Sequence, residues 1–165
     1  MQHLVFSFIC PDRTGIVNSL SNIVKQYQGN WQSSSMHNLS GFFAGIIEIA
    51  VSEKNSQALI DDLKGIEGIN AQVAIANAEK ADEQESIVLE LTANDRAGIV
   101  QDISSVIHHN NGNLLKLVSR QSNAPHSGQL MFSAKATVAV KDANVDELVN
   151  ALENLADDLM VDVSR

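Results

Sequence analysis

The sequence predicts an α+β protein made of two tandem copies of one small βαββαβ domain, each an antiparallel sheet with two helices on one face. Three observations lead to this prediction: an internal repeat, the same order of hydrophobic patterns in both copies, and a polar stretch between them. The 165 residues are enough for two small domains, and a hydrophobic content of 44% is typical of globular proteins.

The repeat is clearest in a short turn sequence. Residues 12–17, Asp-Arg-Thr-Gly-Ile-Val, recur at 95–100 as Asp-Arg-Ala-Gly-Ile-Val, an offset of 83 residues (95 − 12). Farther along, Phe43 matches Phe132 at an offset of 89 (132 − 43). The second copy therefore has an insertion of six residues (89 − 83) near residues 121–128, whose Asn, Pro and Gly predict a loop.

Each copy shows the same order of patterns. Alternating apolar residues predict a first strand, a helical period follows, then two strands that turn near Ser40-Gly41 in the first copy, a second helix and a short last strand. Gly29 and Gly112 are expected to end the first helix of each copy in a left-handed conformation. This order is that of the ferredoxin-like fold. The sheet face away from the helices, or a sheet edge, is expected to meet the sister domain or another subunit.

The domain boundaries follow from the repeat. We expect domain 1 over residues 1–77, an acidic linker over 78–85, and domain 2 over 86–165. Modules of about 80 residues are marginal alone, because small domains bury a smaller share of their surface.

Composition excludes several classes of function. A net charge of −9 and a pI near 4.8 argue against direct DNA or RNA binding and against a polybasic membrane contact. No apolar run is long enough to span a bilayer, and the start lacks a basic secretory region. With a single cysteine there is no intrachain disulfide. We therefore expect a cytoplasmic protein.

The turn that repeats best has residues suited to a small zwitterion. Gly15 and its counterpart allow a backbone or ligand to approach closely. Asp12 and its counterpart can bond the free amides that open the helix. Arg13 and its counterpart can bind a carboxylate. The same residues also suit a tight structural turn with a solvated arginine, and the residues alone leave both interpretations open.

Residues 11–17, followed by Leu20-Ser21 and Gly29-Asn30, strongly resemble the opening of an ACT domain, as do residues 94–100 in the second copy. ACT domains are ferredoxin-like regulatory modules that commonly bind amino acids at domain interfaces. The resemblance implies a ligand site at the turn in one or both copies. Its candidate residues are Asp12, Arg13, Thr14, Gly15, Ile16, Asn94, Asp95, Arg96, Ala97, Gly98 and Ile99.

A chain of two such modules looks most like the glycine cleavage system transcriptional repressor group. This resemblance implies an amino-acid-responsive regulator that works through a DNA-binding protein partner and not by gripping DNA itself. Glycine or serine would be the effector, although no residue here selects one of them, and the chain would be a homo-oligomer.

No catalytic, metal or cofactor motif is present. His108 and His109 are adjacent on a helix and so do not share a face. Cys10 precedes a helix start, which can lower a thiol pKa, but a buried structural role is favoured. We therefore expect no enzyme. The alternatives are a ligand-free interaction module and, less favoured, a ferredoxin-like enzyme such as an acylphosphatase, whose basic phosphate loop this sequence lacks.

Overall fold

The computed structural model describes residues 1–76, 84–140 and 143–165. The chain divides into two compact units, Met1–Lys80 and Ala81–Arg165, and each has a hydrophobic core of its own. The predicted linker, 78–85, lies mostly outside the described residues, so its boundaries stay a prediction. No helix in the described part of the chain is long and apolar enough to cross a membrane.

Both units have the predicted βαββαβ order, and in both all strand pairs are antiparallel. Unit 1 has the sheet order β2-β3-β1-β4 and unit 2 has β6-β7-β5-β8. The elements of unit 1 are β1 Gln2–Pro11, α1 Ile16–Gln26, β2 Asn30–Leu39, β3 Phe42–Val51, α2 Glu53–Lys64 and β4 Asn70–Ala76. Those of unit 2 are β5 Ser86–Asn94, α3 Ile99–His109, β6 Asn113–Asn123, β7 Leu130–Ala139, α4 Val145–Glu153 and β8 Met160–Ser164.

Alternation in the first strand of each unit sends one set of side chains into the core. In β1 this set is aromatic: Phe6 and Phe8 are buried, and their ring centroids lie 5.7 Å apart. The corresponding residues of β5, Leu89 and Leu91, are also buried. The two cores therefore share a plan but differ in the size of the side chains that fill it.

The glycines after the first helices act differently from the prediction. The left-handed residue is Gln28 (φ 56°) in unit 1 and Asn111 (φ 61°) in unit 2, one position before the expected glycine. Gly112 is instead required by packing, because an added Cβ would lie 2.9 Å from the Ile107 side chain. Gly29 is similarly enclosed. The prediction that these glycines supply the left-handed conformation was wrong.

The central hairpin of each unit ends where the sequence predicted. Ser40 and Gly41 both have positive φ, 51° and 84°, as a two-residue type I′ turn requires. In unit 2 the six-residue insertion lengthens this hairpin, and the Ala124 amide closes the longer loop on the Gln129 carbonyl at 2.8 Å. The insertion therefore changes only the tip.

Candidate functional site

The turn between β1 and α1 borders a surface cavity of about 240 Å³ in unit 1. The sequence predicted four of its lining residues and missed three, of which Phe43 comes from β3. Phe43 pairs with Cys10 across the sheet, so strand register brings it beside the turn. The lining residues are Asp12, Arg13, Gly15, Ile16, Val17, Asn18 and Phe43.

Gly15 sits at the helix start in a left-handed conformation (φ 88°), and Gly98 does the same in unit 2 (φ 81°). A Cβ on either glycine would meet no atom within 4 Å. Glycine is therefore needed here for its backbone conformation, and open space lies beside it. Neither helix start receives a side-chain capping bond, so each presents uncapped backbone amides.

The aspartates of the turn do not cap the helix, which corrects the prediction. Gly15 is the N-cap residue, and Asp12 lies three positions too early to reach the first helical amides. Its carboxylate instead accepts a hydrogen bond from the Asn38 side chain of β2, and its amide donates to the Gly41 carbonyl at 2.9 Å. These bonds fix the turn to the β2–β3 hairpin.

Unit 2 repeats this arrangement. Asp95 accepts from the Gln121 side chain, and its amide donates to the Leu130 carbonyl at 2.9 Å. The four partners occupy matching positions, Asn38 with Gln121 (121 − 38 = 83) and Gly41 with Leu130 (130 − 41 = 89). The aspartate therefore has the same anchoring role in both copies.

The two arginines differ. Arg13 donates to the Glu67 carbonyl at 3.1 Å and has no carboxylate within 4.0 Å among the described residues. Arg96 forms an ion pair with Asp102 at 2.6 Å. The residue that corresponds to Asp102 in unit 1 is Ser19 (102 − 83 = 19). One substitution between the repeats thus neutralises the arginine in unit 2 only.

A second carboxylate also comes close to the turn of unit 2. Asp158 accepts a hydrogen bond from the Asn94 amide at 2.7 Å. In unit 1 the corresponding positions are Pro11, which has no amide hydrogen, and Gly68, which lies against the Arg13 guanidinium. Arg13 of the first turn therefore has no ion-pair partner among the described residues, whereas Arg96 of the second turn is paired with Asp102 and lies in a turn that also contacts Asp158.

The remaining predicted residues are placed as follows. Ile16 and Ile99 are buried at the start of their helices, and Thr14 and Ala97 are exposed at the tops of the turns. Cys10 is buried beneath the turn, where its Sγ donates to the Phe43 carbonyl at 3.7 Å. Burial raises the pKa of the Cys10 thiol, as expected for a structural cysteine.

No group of three His, Cys, Asp or Glu side chains in the described ranges is arranged to hold a metal ion. His108 and His109 lie in the last turn of α3, and His109 Nδ1 is 2.6 Å from the Ser105 carbonyl oxygen. This contact is local to the helix.

Comparison with known proteins agrees with this fold. Residues 2–68 match the family model of the ACT domain. No protein with a curated description matches the chain. The crystal structure of an unknown protein from Galdieria sulphuraria is 26% identical, with a TM-score of 0.84 over 99% of this chain and 97% of that one. A structure provisionally described as a glycine cleavage system transcriptional repressor is 17% identical, with a TM-score of 0.71 over 99% and 98%.

The second of these structures establishes similarity of fold alone, and both extend the similarity over the two units. Unit 1 matches the ACT family directly, and unit 2 repeats its topology. Residues 2–68 are therefore an ACT domain, and the chain is a tandem of this domain and a second unit of the same fold.

Proposed function

We propose that the chain is an amino-acid-responsive regulatory protein, not an enzyme, and that its ligand binds at the β1–α1 turn of unit 1. The observation that carries this proposal is the pairing of Arg13, which has no carboxylate partner in the described residues, with Asp12 on one cavity at an uncapped helix start. Regulation by amino acids is the role that ACT domains commonly have.

The charges of the site suit a free amino acid. The ligand carboxylate would bind the Arg13 guanidinium or the backbone amides after Gly15, both of which favour an anion. The ligand ammonium would bind the Asp12 carboxylate, of which Asn38 occupies only Oδ2. Ile16 and Phe43 form an apolar wall, and the modest cavity favours a small side chain. Glycine and serine are therefore the first candidates.

Unit 2 is proposed not to bind the same ligand. An incoming carboxylate would have to displace Asp102 from Arg96 and would also approach Asp158. Like charges at these distances repel, so binding there is disfavoured. Unit 2 would then serve as a structural or partner-binding module.

The regulatory target is proposed to be transcription, through a DNA-binding protein partner and by a self-associating chain in the cytoplasm. The similarity to a structure provisionally described as a glycine cleavage system transcriptional repressor supports this target. The net charge of −9 supports an indirect action, because DNA phosphates attract basic proteins.

A ligand-free interaction module is the second candidate. The observation in its favour is that Arg13 already donates to the Glu67 carbonyl, so this guanidinium is not wholly unoccupied. An amino acid would then have to compete with that bond or use the remaining guanidinium hydrogens.

The test is thermal unfolding of the whole chain with free amino acids, glycine and serine first. A ligand at a hundred times its Kd stabilises by about 2.7 kcal/mol, which raises Tm by several degrees. We expect Arg13→Ala to abolish this shift and Arg96→Ala, the matched control, to retain it. Ser19→Asp should also abolish it, because the new carboxylate would neutralise Arg13 as Asp102 neutralises Arg96.

The outcomes separate the two candidates. A selective shift that depends on Arg13 supports the ligand site. A shift that survives both Arg13→Ala and Ser19→Asp places the ligand elsewhere. No shift for any amino acid favours the ligand-free interaction module.

A further inference from the structure

The sheet of unit 2 has a face that turns away from its helices, here named the open face. Strand register arranges the open face in three rows that run from β6 through β7 and β5 to β8. The first row is Lys116, Thr137, Val88 and Ser164; the second is Val118, Lys135, Glu90 and Asp162; the third is Arg120, Ser133, Thr92 and Met160.

Charge on the open face is sorted by strand. The β6–β7 half has Lys116, Arg120 and Lys135 and no acid, whereas the β5–β8 half has Glu90 and Asp162 and no base. All five side chains are exposed. The face is therefore positive on one half and negative on the other.

This pattern does not come from the fold, because unit 1 lacks it. The corresponding positions in unit 1 are Ser33, His37, Ile46, Ser7 and Gln72, none of which has a formal charge when histidine is neutral. The sorting of these five charges by strand is thus a property of the second copy.

Among the described residues, none of the five charged side chains has an ion-pair partner. Glu90 and Lys135 are direct cross-strand neighbours, yet the ion pairs within 4.0 Å in the described part of the chain are elsewhere, at His3–Glu48 and Arg96–Asp102. Both signs therefore remain available to an outside surface.

We propose that the open face packs on the open face of a second copy of this chain, about a two-fold axis parallel to the strands. Such an axis places the β6–β7 half of one copy on the β5–β8 half of the other, so each positive half meets a negative half. An in-plane axis perpendicular to the strands would place β6 on β6 and like charge on like charge. The charge pattern thus selects one orientation of a self-complementary interface.

The rows specify which groups meet. Glu90 of one copy lies opposite Lys135 of the other, and this contact occurs twice by symmetry. Asp162 reaches the β6 edge of the other copy between Lys116 and Arg120, which lie one row to either side. Val118 and Met160, 55% and 67% exposed, add apolar area to the same interface.

The proposal deepens the self-association proposed above and rests on it. The test uses two full-length variants whose faces each have one sign. Lys116→Glu with Arg120→Glu and Lys135→Glu makes the face wholly acidic, and Glu90→Lys with Asp162→Lys makes it wholly basic. Analytical ultracentrifugation gives the Kd of association of the wild type, each variant and their equimolar mixture, at low and high salt.

We expect each variant alone to associate about a hundredfold more weakly than the wild type, because like charges face each other in its homodimer. The equimolar mixture should recover a heterodimer, and high salt should weaken the wild-type dimer. Recovery in the mixture would also show that both variants are folded. The single changes Lys135→Glu and Glu90→Lys make the same comparison with one charge each.

Three results would overturn the proposal and are distinguishable. A monomeric wild type at all accessible concentrations would contradict self-association itself. A wild-type oligomer whose Kd is unchanged in both variants would leave self-association standing and place the interface on another surface. Folded variants, by circular dichroism, that do not associate when mixed would also refute the paired charges.

Discussion

At the residue scale, the chain uses glycine for two separate physical reasons. Gly15 and Gly98 have positive φ and open space around the missing Cβ. Gly29 and Gly112 are enclosed, and packing leaves no room for a Cβ. Both kinds of glycine recur in the two copies, so the sequence repeat does not distinguish them. Their three-dimensional surroundings do.

We predict that Gly98→Ala and Gly112→Ala destabilise unit 2 for different physical reasons, backbone conformation in the first and steric overlap in the second. Gly98→Ala should cost about 1 kcal/mol, from the left-handed backbone alone. Gly112→Ala should cost about 1–3 kcal/mol, because its Cβ would lie 2.9 Å from the side chains of Ile107 and Val138. Urea unfolding measures both values.

A second substitution, combined with each glycine variant, distinguishes steric overlap from backbone strain. Val138→Ala makes room beside residue 112, so a double-mutant cycle should show that it offsets part of the cost of Gly112→Ala and none of that of Gly98→Ala. Gly98→Asn should cost less than Gly98→Ala, since asparagine tolerates the left-handed conformation. Equal coupling of Val138→Ala to both glycine variants would contradict this interpretation.

Residue roles in the turn were only partly predictable from the sequence. The need for glycine at position 15 and the zwitterionic character of the turn were evident in the residue types. The hydrogen bond from Asn38 to Asp12 could not be predicted, because it joins residues that lie far apart in the chain. The ion pair from Arg96 to Asp102 crosses the turn into the helix, a spacing outside the usual helical pairs.

At the element scale, one contact ties the two helices of unit 1 together. The Tyr27 hydroxyl, just after α1, donates to Asp62 of α2 at 2.5 Å. The Asn55 side chain donates to the Tyr27 carbonyl at 2.9 Å. The hydrogen bond to Asp62 raises the pKa of Tyr27, with smaller contributions from burial and from the charges of Asp62 and Asp61.

We predict that Tyr27 titrates above the ordinary tyrosine value of about 10. It is the chain's single tyrosine, so phenolate absorbance in a pH titration reports on this residue alone. Asp62→Asn should return the midpoint toward the ordinary value, because the ionised phenol would no longer face a carboxylate. Gln57→Ala, which removes a hydrogen bond to the neighbouring Asp61 and none to Tyr27, is the control.

The sign of the pH effect on stability follows from this raised pKa. The stabilisation from the Tyr27–Asp62 bond is present below the unfolded pKa of the phenol and is lost as pH rises through the folded pKa. Equal titration midpoints for the wild type and Asp62→Asn would mean that the bond is absent in solution.

The elements themselves were largely predictable, because alternation and helical period are properties of the local sequence. The Ser40-Gly41 turn and the site of the insertion were correct. The ends of elements are harder to predict: Leu155 continues the apolar period of α4, which stops at Glu153, and Ile69 continues the alternation of β4, which starts at Asn70. In both places an apolar side chain packs against the core without belonging to the element.

At the scale of the whole molecule, each unit has its own four-stranded sheet and its own hydrophobic core. The fold of the chain was predictable because the same order of hydrophobic patterns occurs in both copies. The cavity in unit 1 and the sorted charges in unit 2 were not, because both depend on strand register. Register pairs residues that no local pattern connects.

We predict that residues 1–77 and 86–165 fold as separate fragments. Each should show a cooperative thermal transition by circular dichroism, because no strand of either sheet comes from the other unit. Both transitions should be shallow, since domains of about 80 residues are marginally stable. A fragment without a cooperative transition would show that its unit depends on the other for stability.

The unequal cores also bear on how a duplicated chain avoids assembling itself wrongly. Tandem copies of one topology risk exchanging equivalent strands while they fold. If β1 took the place of β5 in the sheet of unit 2, Phe6 and Phe8 would enter the spaces that Leu89 and Leu91 fill. Such overpacking lowers the stability of the fold by about 1–3 kcal/mol. The reverse exchange would leave voids where the phenyl rings stack. The difference in side-chain volume therefore favours pairing of each first strand with its own sheet over exchange between the two copies.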